Sequence, residues 1–270
     1  MQDGNAGRME APAAGPRQAG DHRERPISRQ VRQLVATAFP ACHRDTRDRC
    51  DEVDRYLCGL DGLVARGHVL RVSPGDWLLL RPVLEVELPM VAGAVGRPSA
   101  LLDVGCGEGW QACFIAGLHP GTIVVGLDES EEAVAQAWIL AAHLHREVRF
   151  IEGKAETISA LFPGQTFQVV LESGVLPVCR RRERPPSERA RDTAEALALL
   201  RGIREAVDSA GGRFLWLEGG RSLQPLRYHA GLLVRAKLDI DWEASDFGWG
   251  MNARGAFLWW LLVSRLRQAP

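Results

Sequence analysis

The chain has 270 residues, of which 46% are hydrophobic and 25% charged, with a formal net charge of −1 at neutral pH. This length and composition suit a globular protein with a buried core, and the balanced charge gives no reason to expect a polyanionic partner. No run approaches the roughly 18 apolar residues of a membrane span, and the N-terminus lacks the apolar core of a signal peptide. The expected location is the cytoplasm, where the six cysteines stay reduced.

Composition and periodicity divide the chain into three regions. Residues 1–26 are rich in Gly, Ala, Pro and Arg and are expected to form a disordered tail. Residues 27–96 carry apolar side chains at helical spacing and predict a helical cap before the main domain. Pro82 and Pro89 are expected to divide the last apolar stretch of this cap into short pieces. Residues 97–270 form the main domain.

Cysteines in the cap recur every eight residues, at Cys42, Cys50 and Cys58. Zinc ligands usually stand two to four residues apart, and an eight-residue step turns by about 80° around a helix. These cysteines are therefore predicted to be small core residues, and no metal site is expected.

The chain is organised around one strand–turn–helix–strand segment. The apolar run Leu101–Val104 predicts a buried strand, and glycines at positions 105, 107 and 109 predict a tight turn after it. A short helix and a second apolar run follow, and this run ends at Asp128. Such a turn brings backbone N–H groups and a helix N-terminus close to a ligand, and the acid is placed to accept hydrogen bonds from ribose hydroxyls.

A nicotinamide dinucleotide is the first alternative ligand for this turn. Its fingerprint needs a small residue five positions after the first glycine, where helix and strand pack closely. That position is Trp110, whose bulk disfavours a pyrophosphate here.

The segment from Asp103 to Gly109 resembles motif I of class I S-adenosylmethionine-dependent methyltransferases, acid-x-Gly-x-Gly-x-Gly. The resemblance implies an α/β, Rossmann-like fold: a seven-stranded, mostly parallel sheet with a final antiparallel strand and helices on both faces. It places the helical cap in front of this fold, over the substrate pocket. It also implies S-adenosyl-L-methionine as the cofactor. The cofactor-binding residues that it indicates are Asp103, Gly105, Cys106, Gly107, Gly109, Asp128, Glu129, Ala155, Glu156 and Glu172.

The third motif departs from the family pattern. Val148–Glu152 resembles the third strand, and the family often places an acid before the next alanine to contact the adenine amino group. This chain has Lys154 before Ala155, and a lysine cannot accept that hydrogen bond. The resemblance then leaves backbone groups around Ala155, or the side chain of Glu156, to contact the adenine.

The fourth motif supplies the catalytic candidates. Phe167–Leu171 resembles the fourth strand, and Glu172 follows it beside the expected methyl position. Glu172 is either a general base or a ligand of the cofactor's amino-acid end, and His229 and Glu218 are further candidates on segments expected to face the pocket. Nucleic-acid amino-methylating members carry an Asn/Asp-Pro-Pro-aromatic motif here, which Glu172–Val175 does not match.

An arginine-rich segment follows motif IV. Arg180–Arg191 contains six arginines against two glutamates, with two prolines that predict a loop. It lies after a strand's carboxyl end, so it either binds an anionic substrate or acidic partner or forms a solvated lid.

The C-terminal region predicts a fifth strand and a final hairpin. Leu232–Trp242 and Ala256–Leu266 are interpreted as two strands that match the family's antiparallel hairpin. The loop expected between them, Glu243–Gly255, places Phe247 and Trp249 between glycines. This pattern suits either a wall over an apolar ligand or ordinary edge packing.

Three functions remain open from the sequence. The first is a methyltransferase for a small molecule with an O, N or C acceptor, anionic or aromatic, in bacterial specialised metabolism. The second methylates a peptide, protein or RNA docked on Arg180–Arg191, although nucleic acid is not the expected partner. The third is a cofactor-binding protein without catalysis, to which only Lys154 points. Membrane association is not expected.

Overall fold

A computed structural model describes most of the chain beyond the first fifty residues. The described ranges are 51–67, 72–175, 186–220, 224–252 and 255–267. The expected tail at 1–26 and the cysteines Cys42 and Cys50 lie outside these ranges.

Helices and strands alternate through most of the described chain. Two helices come first, α1 at Asp51–Ala65 and α2 at Pro74–Val95. The later elements are β1 Ala100–Val104, α3 Trp110–Leu118, β2 Ile123–Asp128, α4 Glu131–Leu144, β3 Val148–Glu152, a 3₁₀ turn Ala155–Thr157, α5 Ile158–Leu161, β4 Val169–Ser173, α6 Pro186–Ala206, β5 Arg213–Gly220, α7 Gln224–Arg235, β6 Leu238–Asn252 and β7 Gly255–Leu266.

The strands form one seven-stranded sheet in the order β3-β2-β1-β4-β5-β7-β6. Neighbours from β3 to β5 are parallel, whereas β7 lies antiparallel between β5 and β6. The predicted sheet and its antiparallel strand are confirmed. Strand order reverses between β1 and β4, and ligands of open α/β sheets bind at the carboxyl ends of the strands beside such a reversal.

Each face of the sheet is covered by helices. Side chains on one face pack with α1 to α4, and side chains on the other pack with α5, α6 and α7. Within β1, Leu101 belongs to the first core and Leu102 to the second, as the alternation of a strand requires. Among the described residues no helix is long and apolar enough to cross a membrane.

Helix α2 is continuous over 22 residues, so the expectation that Pro82 and Pro89 divide this segment is wrong. Ser73 caps its first turn by accepting a 3.2 Å hydrogen bond from the Asp76 N–H. Each proline removes one backbone hydrogen bond, but the two stand seven residues apart and lie on the same side of the helix. Apolar side chains along α2 are buried in the first core, and this tertiary packing outweighs the local cost.

The C-terminal hairpin also differs from expectation. Residues 232–235 end α7 rather than begin a strand, and β6 runs through most of the segment 243–255 that was expected to be a loop. Gly248 explains this difference, because a Cβ built on it would lie 2.5 Å from Val86 Cγ1 and 3.0 Å from Met90 Sδ of α2. The glycine permits close packing of strand against helix, and it does not mark a turn.

A pair of glycine-to-alanine substitutions tests this packing. Gly248→Ala should lower the free energy of unfolding by about 1–3 kcal/mol, because the added methyl group overlaps Val86 and Met90. Gly231 lies in α7 with no atom within 4 Å of an added Cβ, so Gly231→Ala should stabilise by up to about 1 kcal/mol. Urea denaturation measures both, and equal effects of the two substitutions would contradict the contact between α2 and β6.

Candidate functional site

The turn between β1 and α3 is held by three glycines with positive φ. Gly105 has φ 70°, Gly107 has φ 51° and Gly109 has φ 82°, all in the region that other residues rarely adopt. The N–H groups of Gly105 and Cys106 donate to the Leu127 carbonyl at 2.6 and 3.0 Å. The turn is thereby fixed to the end of β2.

Close neighbours also restrict two of these positions to glycine. A Cβ on Gly105 would lie 1.7 Å from Val175 Cγ2, in the segment that follows β4. A Cβ on Gly109 would lie 2.9 Å from the Phe150 ring and 3.0 Å from Ala137 Cβ. The first contact brings the end of β4 directly against the turn, and the second packs α3 against α4 and β3.

Asp128 joins the end of β2 to the turn. Its Oδ2 accepts a 2.9 Å hydrogen bond from the Gly107 N–H, and its Oδ1 accepts one of 2.9 Å from the Ser130 N–H. Each carboxylate oxygen can accept a second hydrogen bond, and the side chain is only half-buried. The carboxylate is therefore held in place while it still faces solvent.

Asp103 is almost completely buried, with 1% of its surface exposed. Burial, together with the negative charge of Asp128, raises the pKa of this carboxyl to about 7, although a hydrogen bond from the Ala112 N–H opposes the shift. Among the described residues, no hydrogen-bond donor reaches its Oδ2. A buried acceptor in this condition costs free energy unless a ligand supplies a donor.

The other indicated cofactor residues surround the same edge of the sheet. Cys106 is buried in the turn, and burial raises the pKa of its thiol well above the ordinary value. Ala155 begins the 3₁₀ turn after β3 and is half-buried, whereas Glu129 and Glu156 are exposed. The Gly153 N–H donates to the Asp128 carbonyl at 2.8 Å, which holds this 3₁₀ turn beside the end of β2.

Comparison with known proteins identifies the domain. Residues 101–192 match the family model described as a methyltransferase domain. The chain is similar to the structure of NSun6 from Pyrococcus horikoshii with SFG, at 11% identity over 68% of this chain and 53% of that one, with a TM-score of 0.51. It is also similar to YcgJ from Bacillus subtilis, at 14% identity over 67% and 98%, with a TM-score of 0.50. Residues 101–192 therefore match a methyltransferase domain in sequence, and the two structures share the fold of the chain.

The match to the methyltransferase domain runs from β1 to the first turns of α6, so it contains the glycine turn, Asp128 and the end of β4. No curated protein matches the sequence. The two similar structures share the fold. Residues 180–185 of the arginine-rich segment lie outside the described residues, which resume at Pro186.

Glu172 is completely buried at the carboxyl end of β4. Its Oε1 accepts a 2.6 Å hydrogen bond from the Val175 N–H, across a turn in which Gly174 has φ 75°. Val104 is its partner in β1, so Glu172 and Asp103 start on opposite faces of the sheet. One oxygen of Glu172 therefore fixes the segment that contacts Gly105.

His229 does not face a pocket. Its ring has no exposed surface and lies between two indoles, 4.4 Å from the Trp216 ring and 5.8 Å from the Trp260 ring, centroid to centroid. Trp260 Nε1 donates to its Nδ1 at 3.4 Å, and burial lowers its pKa to about 3. The orientation of α7 turns the His229 side chain into the second core. A catalytic role is not compatible with this position, because a substrate would not reach the ring.

The sequence interpretation missed one buried acid, Glu87 of α2. It is 4% exposed, and its Oε2 accepts a 2.9 Å hydrogen bond from Gln111 Nε2 of α3. Leu84 and Val91 flank it at helical spacing, so an unbroken helix would have placed Glu87 on a buried stripe. Glu218, at the end of β5, is also buried and lies near enough to raise the pKa of Glu87.

The buried position of His229 predicts a pH dependence of stability. Between pH 6.5 and about 3 the unfolded histidine binds a proton that the folded one does not, so its contribution to stability is lost as pH falls through this window. His229→Phe should reduce the slope of unfolding free energy between pH 6.5 and 5.5 by up to about 1.4 kcal/mol per pH unit. The same substitution at exposed His143 serves as the control, and an unchanged slope in His229→Phe would contradict burial as a neutral ring.

Proposed function

We propose that this chain transfers a methyl group from S-adenosylmethionine to a small molecule. The observation that carries this proposal is the carboxylate of Asp128, which accepts hydrogen bonds from Gly107 and Ser130 and still faces solvent beside the glycine turn. A half-buried carboxylate in that position suits the two hydroxyls of a ribose.

The residues at this edge fit the cofactor in charge and hydrogen bonding. Asp103 Oδ2 is a buried acceptor that no described residue satisfies, which suits an N–H donor from a ligand. Asp128 would hold the ribose, and Ala155 or Glu156 would lie near the adenine. When bound, the cofactor supplies an electrophilic methyl group on a positively charged sulfur. Buried carboxyl groups around a positive charge are favourable, whereas the same groups around an anion are not.

The role of the protein is mainly to position the reactants. Methyl transfer to a nucleophile gains most from alignment of the reacting atoms. We assign Glu172 a positioning role, because its hydrogen bond to Val175 fixes the segment that lies against Gly105.

The helical cap supports a small acceptor. Tyr56 of α1 donates from its hydroxyl to the Trp110 carbonyl at 2.7 Å, and Trp77 of α2 stacks on the Trp110 ring at 5.7 Å. Both contacts anchor the cap at the first residue of α3, immediately after the glycine turn. A cap fixed at this place restricts access to the turn and favours a compact acceptor over a folded macromolecule.

Substitution of Asp128 tests the cofactor assignment. Asp128→Ala should weaken binding of S-adenosylmethionine and S-adenosylhomocysteine by about tenfold or more, because the ribose hydroxyls lose a charged acceptor. Isothermal titration calorimetry measures both affinities. Asp239→Ala removes an exposed carboxylate that pairs with Arg267 on the hairpin and should leave both affinities unchanged. Wild-type affinity in Asp128→Ala would mean that this turn does not bind the ribose.

A further inference from the structure

Glu87 is a buried acid of the helical cap that contacts α3. It is buried in α2 and accepts a hydrogen bond from Gln111, the second residue of α3. Since α3 begins at the glycine turn, this hydrogen bond places the Glu87 carboxyl beside the proposed cofactor site. Nothing in the function proposed above uses it.

The surroundings of Glu87 are acidic. Burial, followed by the charges of Glu218 and Asp103, raises its pKa to about 8, while the Gln111 hydrogen bond opposes the shift. Among the described residues no basic side chain forms an ion pair with Glu87. Arg81, on the same helix, pairs instead with Asp61 and Glu85. An acid placed this way destabilises the folded protein at neutral pH.

Asp103 adds an independent observation that points to a ligand. Its Oδ2 is buried and receives no hydrogen bond from the described residues, and its charge acts on Glu87. A polar atom in this condition is rare in folded proteins unless it contacts a ligand or water. The cofactor proposed above would supply a donor to Asp103, and the negative charge of Asp103 also favours a positively charged group at Glu87.

We propose that the methyl acceptor is a primary amine, bound as its ammonium ion at the Glu87 carboxyl group. This proposal rests on the methyltransferase function proposed above. An ammonium group supplies three donors on one compact charge, which suits a buried carboxyl group in acidic surroundings. An alcohol supplies one donor without charge, and a carboxylate would be repelled by both acids.

Glu87 also provides the base that an amine acceptor needs. An ammonium ion has no lone pair and must lose a proton before its nitrogen can accept a methyl group. In this step one N–H bond breaks, its electron pair remains on nitrogen, and the proton forms an O–H bond on the ionised Glu87. A carboxyl group with a pKa near 8 accepts a proton from an amine far more readily than an ordinary glutamate does.

Binding of small probes tests the acceptor class without turnover. We would titrate the full chain, saturated with S-adenosylhomocysteine, with 2-phenylethylamine, tryptamine and 1,5-diaminopentane. Each amine is paired with the alcohol and the carboxylate of the same carbon skeleton. At least one amine should bind about tenfold or more tightly than its two partners. Titration at pH 7 in buffers of different ionisation enthalpy should show release of close to one proton, because ammonium binding ionises Glu87.

Two substitutions on α2 distinguish a specific role of Glu87 from the general effect of removing a negative charge. Glu87→Gln should abolish both the amine preference and the proton release, whereas Glu85→Gln, which removes a neighbouring acid paired with Arg81, should keep them. Gln111→Ala removes only the hydrogen bond to Glu87 and should weaken amine binding, which provides a second variant if Glu87→Gln folds poorly.

The outcomes are separable from those of the proposed function. Failure of S-adenosylhomocysteine to bind would overturn the methyltransferase assignment itself. If it binds, three results would overturn the amine proposal alone: no amine binds, an alcohol or carboxylate binds as tightly, or Glu87→Gln retains the preference.

Protein stability gives a readout that needs no ligand. The pKa of Glu87 is raised on folding, so the stability it contributes is present at low pH and is lost as pH rises from about 4.5 to about 8. Asp103 acts in the same direction up to about pH 7. Glu87→Gln should therefore raise the melting temperature at pH 8 relative to wild type by more than at pH 5, and Glu85→Gln should not. An equal effect of both variants would contradict the buried state of Glu87 on which the amine proposal depends.

Discussion

The candidate site depends on the two hydrogen bonds that Asp128 accepts. Its carboxylate links the end of β2 to Gly107 in the turn and to Ser130 at the start of α4, each at 2.9 Å. Gly107 has a positive φ that this contact stabilises. The same group that would bind the ligand thus also fixes the backbone around it, so that little reorganisation is needed on binding.

Two buried carboxyl groups near the glycine turn give this part of the site an acidic character. Asp103 and Glu87 both have raised pKa values, for which burial is the main cause. Groups of this kind lower the stability of the folded state above the pKa of the unfolded chain. A protein that only needed a stable core would be better served by apolar side chains in both places. Their presence beside the glycine turn is most simply explained by a ligand, since sites that oppose stability concentrate where function needs them.

The sequence predicted the segment from β1 to β3 to within one residue at each end, and local interactions account for this success. Strand β1, the glycine turn and helix α3 are specified by short apolar runs and by residues that permit positive φ. The antiparallel hairpin was predicted but the length of β6 was not, because the need for glycine at position 248 comes from contact with Val86, over 150 positions earlier in the chain. His229 was misplaced for a similar reason: the phase of α7 against the sheet depends on Trp216 and Trp260. Short-range patterns do not contain such contacts.

One error in secondary structure also concealed a candidate site residue. With α2 divided at Pro82 and Pro89, Glu87 would lie in a short piece between two breaks and would be interpreted as an exposed acid. In the continuous helix, Leu84 and Val91 stand three residues before and four after Glu87, so its side chain must share their buried face. Burial of a carboxyl group beside Gln111 is then a direct consequence of helix phase. The packing that keeps α2 intact across its prolines is therefore the same packing that brings Glu87 to the edge of the sheet.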